Sequence, residues 1–212
     1  MREKELSTRI IFVRHGQTNF PIDRIYCDDR ENPALNKIGQ RQAESTADIL
    51  GQISIDAIYA SPVLRTTMTA EVIASRHTLP ITFGDALVER RFGVWEGLYF
   101  NEIEQGYPEE YRQWKMDQAG FAPEAGESAF DLLNRVSVFV GDIVNNNKGK
   151  TVVVVSHVGP IRVLLADALG LSLKAFRSLR IDPASMSRVD YGAKQNNLVY
   201  MNYVGLDRLT KF

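Results

Sequence analysis

The chain of 212 residues has a single cysteine, Cys27, so no intrachain disulfide framework can form and thiolate-rich zinc sites are excluded. It has only three histidines, His15, His77 and His157. It has no excess of either charge: 25 Lys and Arg stand against 26 Asp and Glu, a formal net charge of −1. That balance lacks the basic footprint of a dedicated nucleic-acid binder. Long apolar runs are missing too. The most apolar stretch, Thr151 to Val155, is cut at once by Ser156 and His157, far short of the roughly 18 apolar residues of a membrane span. Met1-Arg2-Glu3-Lys4-Glu5-Leu6 is charged and offers no signal region, and Leu209-Thr210-Lys211-Phe212 carries no lipid-anchor motif. A reducing cytoplasm is therefore the expected setting, with neither membrane nor nucleic acid as partner.

What is present is ordinary for a globular protein: 44% hydrophobic and 24% charged residues, in a chain long enough to bury a core without staples. No linker, repeat or low-complexity block divides it, so a single domain over 1–212 is expected. Short apolar runs at Ile10–Val13, Ala57–Ala60, Leu79–Phe83 and Thr151–Val155 read as strands. Helical patterns alternate with them. Asn36 caps one that Gly51 closes. Ser61 looks like an N-cap with Pro62 at the first helical position, turning Leu64, Met68, Val72 and Ile73 inward. Glu102 to Gln118 reads as an aromatic-rich helix, Ser128 caps an amphipathic one, and another runs from about Pro160 to Leu169. This alternation predicts an α/β fold, a three-layer α/β/α sandwich around a mostly parallel central sheet. The runs Met186–Tyr191 and Asn197–Val204 would close it as an antiparallel edge, through which two chains could pair as a homodimer.

Three strands end alike, in an apolar run followed by polar residues and a turn or helix start. They are Val13-Arg14-His15-Gly16, Tyr59-Ala60-Ser61-Pro62 with Arg65 following, and Val155-Ser156-His157-Val158-Gly159-Pro160. Ligands of open α/β sheets bind at the carboxyl ends of parallel strands. If these strands are neighbours, Arg14, His15, Arg65 and His157 converge. Two arginines attract a phosphate with bidentate geometry, and the helix after His157 adds backbone donors. An imidazole among them can attack phosphorus, and the arginine charges keep it neutral for that task. Cationic side chains make a metal unnecessary, and no cofactor is implied. Taken singly, each residue is as well explained by a structural hydrogen bond or a surface ion pair. Only their joint pattern speaks for chemistry.

Val13-Arg14-His15-Gly16-Gln17-Thr18 resembles the signature of the histidine phosphatase superfamily, which includes cofactor-dependent phosphoglycerate mutases. Leu35 to Ala43, Tyr59 to Thr66, Leu87 to Gly97, Gly126-Glu127-Ser128 and Val155 to Arg162 are similar to the family's later blocks, in order. The resemblance implies a phosphoglycerate mutase-like fold with a small cap from about 98–125. It implies His15 as the nucleophile, with Arg14, Arg65 and His157 binding the phosphoryl group. It also implies Glu89 as the acid for the leaving oxygen and then the base for water. That role calls for a raised Glu89 pKa, whereas an ion pair with Arg90 or Arg91 would lower it. Arg24, Thr18 and Val158 stand where substrate contacts are expected.

The chain departs from the family pattern in places. Pro21 replaces an expected asparagine, with Asn19 nearby but out of register, and Val158 stands where a small residue is usual. The acidic stretch Tyr26 to Glu31 either selects against highly anionic substrates or is simply solvated, the second reading being favoured, and Cys27 reads as a non-catalytic thiol. His77 reads as a surface residue at a helix end. Tyr107, Tyr111 and Trp114 read as a substrate lid or as ordinary core, the lid being favoured, and Phe92 and Trp95 as packing beside Glu89. The short spacing of 38 positions between Glu89 and Glu127 favours a hydrolase with a more open pocket. The expected activity is therefore hydrolysis of a small phosphorylated metabolite through phosphohistidine. The alternatives are mutase-type phosphoryl transfer and a non-catalytic phospholigand-binding protein.

Overall fold

Alternate residues of the first strand pack on opposite faces of the sheet, and two cores result. In the computed structural model, which describes residues 6–25 and 31–205, β1 (Thr8–Arg14) turns Ile10 and Phe12 to one side and Ile11 and Val13 to the other. β4 (Thr151–Ser156) does the same with Val152 and Val154 against Val153 and Val155, and all six of its residues are buried. A strand buried on both faces needs a continuous apolar run, which is why Thr151–Val155 is the strongest strand signal in the sequence. Met1–Glu5, Leu209–Phe212, Cys27 and most of the acidic stretch lie outside the described residues.

Six strands form one sheet in the order β3-β2-β4-β1-β5-β6. β2 (Ala57–Ala60) and β3 (Ile81–Phe83) run parallel with β4, and β4 runs parallel with β1. β5 (Met186–Tyr191) and β6 (Asn196–Tyr203) are antiparallel, on the far side of β1. α1 (Lys37–Leu50) and α2 (Leu64–Ser75) cover one face through Ala47, Leu50, Ala70 and Ile73. α5 (Ala129–Asn146) and α6 (Val158–Ala168) cover the other through Leu132, Val136, Ile161 and Leu164. Each fully buried aliphatic side chain contributes roughly 1.5–3 kcal/mol. The fold is thus the α/β/α sandwich with a mixed, mostly parallel sheet. Among the described residues, no helix is long and apolar enough to cross a membrane.

Between β3 and α5 lie α3 (Phe100–Gly106) and α4 (Pro108–Met116), which share a separate small core of Ile25, Trp95, Ile103 and Trp114. The expected single helix over Glu102–Gln118 is therefore two. Pro108 cannot continue a helix from Tyr107, and it opens a new one instead. Two other boundaries also differ from expectation. α6 begins at Val158 rather than Pro160, because a proline is tolerated within the first turn, where its missing N–H has no partner to lose. α2 begins after Val63 with no side-chain cap, and Leu64 is exposed. The buried face of α2 is Arg65, Thr66, Thr69, Ala70, Ile73 and Ala74. It is largely polar because it lies under the site, so a search for apolar periodicity finds Ile73 and Val72 but misses Arg65, Thr66 and Thr69 and turns the exposed Leu64 inward.

Candidate active site

β2, β4 and β1 are adjacent and parallel, so their carboxyl ends bring Ser61, His157 and His15 to one edge. The backbone fixes the register: the His15 N–H donates to Ser156 O at 3.0 Å, and the Ser61 N–H to Val155 O at 3.0 Å. Arg65 arrives from the first turn of α2, fully buried. Its Nε donates to His15 Nε2 at 3.3 Å, and its Nη2 lies 3.0 Å from His157 Nδ1. The two imidazole rings stand edge to face with centroids 5.2 Å apart.

These contacts set the tautomers. His15 Nδ1 lies 2.8 Å from Gly16 O. A carbonyl only accepts, so Nδ1 carries the proton and Nε2 presents its lone pair. His157 Nδ1 must accept from the guanidinium, so its proton is on Nε2, which donates to Ser61 Oγ at 3.0 Å. Burial pushes the His15 pKa well below its ordinary value, and the charges of Arg65 and Arg14 push it further, against the Gly16 carbonyl. His157 is lowered in the same way, by burial first and then by Arg65, His15 and Arg14. Both rings are therefore neutral near pH 7.

A cavity of about 580 Å³ opens beside this cluster. Arg14, His15, Thr18, Arg24, Glu89 and Val158 line it. Arg65 and His157 do not. Both are 0% exposed and meet His15 inside the buried cluster. Arg14 is steadied by a 2.7 Å bond from Nη1 to Ile181 O. Thr18 Oγ1 accepts from the Phe20 N–H at 3.3 Å. Arg24 is already occupied: Nε donates to Gly97 O at 2.7 Å, Nη2 pairs with Glu31 at 2.8 Å, and the guanidinium packs over Phe20 and Tyr99. Pro21 lines the cavity, while Asn19, which does not line it, accepts at Oδ1 from Asn36 Nδ2 at 3.0 Å.

Glu89 faces the cavity with its carboxylate held by backbone donors. Oε1 accepts from Arg90 N at 2.8 Å and from Gly159 N at 3.1 Å, the latter in the first turn of α6. It forms no ion pair with its arginine neighbours. The Arg90 side chain donates to the carbonyls of Glu127, Gln118 and Phe121, and Arg91 lies 4.0 Å from Glu127. Desolvation among those carbonyls lowers the Arg90 pKa to about 10.

Several residues with clear roles here carry no signal of them in the sequence. Ser61 has the appearance of a helix cap but bonds His157 instead. Arg135 pairs with Glu127 through two bonds of 2.8 and 2.7 Å and also donates to the carbonyls of Ala86, Val88 and Glu89, clamping the segment that carries Glu89. Tyr107, Tyr111 and Trp114 belong to the small aromatic core and none lines the cavity. It is Phe100 and Phe92 that reach the cavity, while Trp95 is wholly buried. His77 sits in the turn after α2, outside the cavity lining. Among the described residues, no group of three or more His, Cys, Asp or Glu could hold a metal ion.

Comparison with known proteins agrees with the fold. The family model of the histidine phosphatase superfamily (branch 1) matches residues 10–204, and the chain belongs to that family. A bifunctional protein of Mycobacterium tuberculosis is 40% identical over 187 residues, which is 88% of this chain and 51% of that protein. The chain thus spans about half the length of that relative. Phosphoserine phosphatase 1 of Hydrogenobacter thermophilus is 32% identical over 195 residues, 92% of each chain. The solved structure of a mycobacterial glucosyl-3-phosphoglycerate phosphatase superposes with a TM-score of 0.82 at 27% identity, covering 92% of this chain and 99% of that one.

Proposed function

We propose that the chain hydrolyses a small phosphomonoester through a phosphohistidine formed on Nε2 of His15. One observation carries this reading. Gly16 O holds the proton on Nδ1, so a neutral ring directs the lone pair of Nε2 toward the Arg65 guanidinium, where a phosphoryl oxygen would be stabilised.

The ester's phosphoryl group enters between His15 and the two arginines. Its oxygens take the Arg65 donors that the imidazoles otherwise hold, and Arg14 binds from the cavity side. The Nε2–P bond forms as the ester P–O bond breaks, and protonated Glu89 gives its proton to the departing alkoxide. Charge develops on the phosphoryl oxygens beside Arg14 and Arg65, whose guanidinium donors stabilise it. The alcohol leaves. Glu89, now a carboxylate, takes a proton from water, the water oxygen bonds to phosphorus, and the N–P bond breaks. Inorganic phosphate and neutral His15 remain. The wide cavity beside Glu89 admits that water, which favours hydrolysis over return of the phosphoryl group to a second alcohol.

Purified protein assayed on an aryl phosphate, beside a His15→Ala variant, tests this reading. Release of phosphate by the native chain and loss of it in the variant support it. Isomerisation of phosphoglycerates without net phosphate release would replace it with the mutase reading. Ligand binding without turnover would replace it with the binding-protein reading.

A further inference from the structure

The phosphoryl site uses Arg14 and Arg65, yet the same cavity holds two further guanidinium groups that this chemistry leaves without work. Arg162 and Arg177 both line it. Among the described residues neither makes an ion pair. Arg162 donates its Nε to Leu179 O at 2.8 Å, and the Arg177 guanidinium rests 5.4 Å from the Trp114 ring centroid. The other cations of the cavity are accounted for, Arg24 by Glu31 and Gly97, and Arg90 by its three carbonyls. The two acids of the lining do not balance the pair. Asp182 is held by Arg180 at 3.0 Å and by Asn202 at 3.0 Å, and Glu89 by backbone donors.

Position gives the pair its meaning. Val158 and Arg162 share one face of α6, and both line the cavity. Four residues of helix rise about 6 Å, so Arg162 stands one turn beyond the end that faces the phosphoryl site. Glu89 meets Gly159 between them, where a leaving oxygen would lie. Burial lowers the Arg162 pKa, and the neighbouring charges of Arg177 and Arg14 add to this and outweigh the opposing Glu89 carboxylate, as expected of like charges gathered around one space. Two partly desolvated guanidiniums on one cavity wall, facing only the backbone-held Glu89 carboxylate across it, are an unfavourable arrangement that a further anion relieves.

We propose that Arg162 and Arg177 form a second anion subsite, and that the substrate is a small phosphomonoester bearing a carboxylate or a further phosphate a few bonds from its ester oxygen. This rests on the phosphatase reading above and narrows its substrate class.

The test is steady-state kinetics on matched esters that differ by one anion. Phosphoserine is set against phosphoethanolamine for the carboxylate, and a sugar monophosphate against its bisphosphate for the phosphate. The native chain should prefer the doubly anionic member of at least one pair, and which pair it is identifies the second anion. In Arg177→Gln and Arg162→Gln that preference, read as a ratio of kcat/KM, should fall about tenfold, mainly through KM. Arg177→Lys and Arg162→Lys keep the charge without the planar fork. They should fall between, and they preserve the test should a Gln variant not fold. No preference in the native chain, or a ratio the variants leave unchanged, overturns the subsite. Failure to hydrolyse any ester, aryl phosphate included, defeats the phosphatase reading instead. The subsite is then judged on the same ratio measured as calorimetric binding of the same pairs.

Discussion

Arg65 Nε points at Nε2 of His15 from 3.3 Å, so the group that neutralises phosphate also touches the nitrogen proposed to attack it. The same guanidinium reaches His157 through Nη2. Burial and this one cation together keep both rings unprotonated, and the cation stands ready for the transferred group. Arg65→Lys keeps the charge but cannot span both rings. Turnover of an aryl phosphate should fall at least about a hundredfold, the usual cost of losing one oxyanion donor. Steady-state kinetics check this, with circular dichroism to show that the variant is folded. Near-native turnover in the lysine variant would remove Arg65 from the chemistry.

Glu89 is expected to matter in proportion to how badly the leaving group needs a proton. Glu89→Gln should cost about 100- to 10,000-fold with alkyl phosphates and much less with a nitrophenyl phosphate, whose phenolate leaves unaided. Gly159 offers an independent test. A Cβ there would meet the Glu89 carboxylate, so Gly159→Ala should reproduce the same dependence on leaving group with Glu89 still present. Equal losses across leaving groups would deny Glu89 the role of acid.

Stability should depend on pH through the two buried rings. Both have folded-state pKa values well below 6.5, while in the unfolded chain they titrate near that value. Below about pH 6.5 the unfolded state binds protons that the folded state refuses, so stability rises with pH and is lost as the solution is acidified. Each ring adds up to about 1.4 kcal/mol per pH unit to that slope. Urea unfolding between about pH 5 and 7 measures it, and His15→Asn should flatten the slope by one ring's share. An unchanged slope in the variant would mean that His15 is not held neutral.

The sheet and most of its helices were legible because their residues obey a single requirement. Val152 to Val155 are apolar because both faces of β4 are covered, and the Ser128-capped helix shows a clean stripe because only one side of it is buried. Reading failed where a residue answers to two demands. Ser61 followed by Pro62 has the form of a cap, but the Ser61 hydroxyl is needed by His157 across the sheet edge, a contact 96 positions away. α2 hides a polar stripe because Arg65 and Thr69 serve the site, Thr69 by receiving the Gly16 N–H. The convergence of Arg14, His15, Arg65 and His157 could be anticipated from three similar strand ends. That Arg65 and His157 are wholly buried could not, since burial is set by packing and not by register.

Arg135 illustrates a contact that only the fold can show. It joins the Glu127 carboxylate to three carbonyls of the segment ending at Glu89, and both side chains are largely buried, at 16% and 13% exposure. Burial pulls the Glu127 pKa up, yet the Arg135 bonds, the Arg91 N–H and the nearby positive charges outweigh it, so the carboxyl stays below its ordinary value. Arg135→Met would strand that charge and those carbonyls. It should cost about 3 kcal/mol in urea unfolding and reduce turnover through a displaced Glu89. A loss under about 0.5 kcal/mol would show the clamp to be ornamental.

The most direct test is to catch the phosphoryl group on the protein. Native chain mixed with a fast-leaving aryl phosphate and quenched in alkali within one turnover, then digested and sequenced by mass spectrometry, should carry one phosphoryl group on His15, bonded through Nε2. A phosphoryl group on any other residue, or product release with no covalent intermediate under conditions that should accumulate it, would contradict the account.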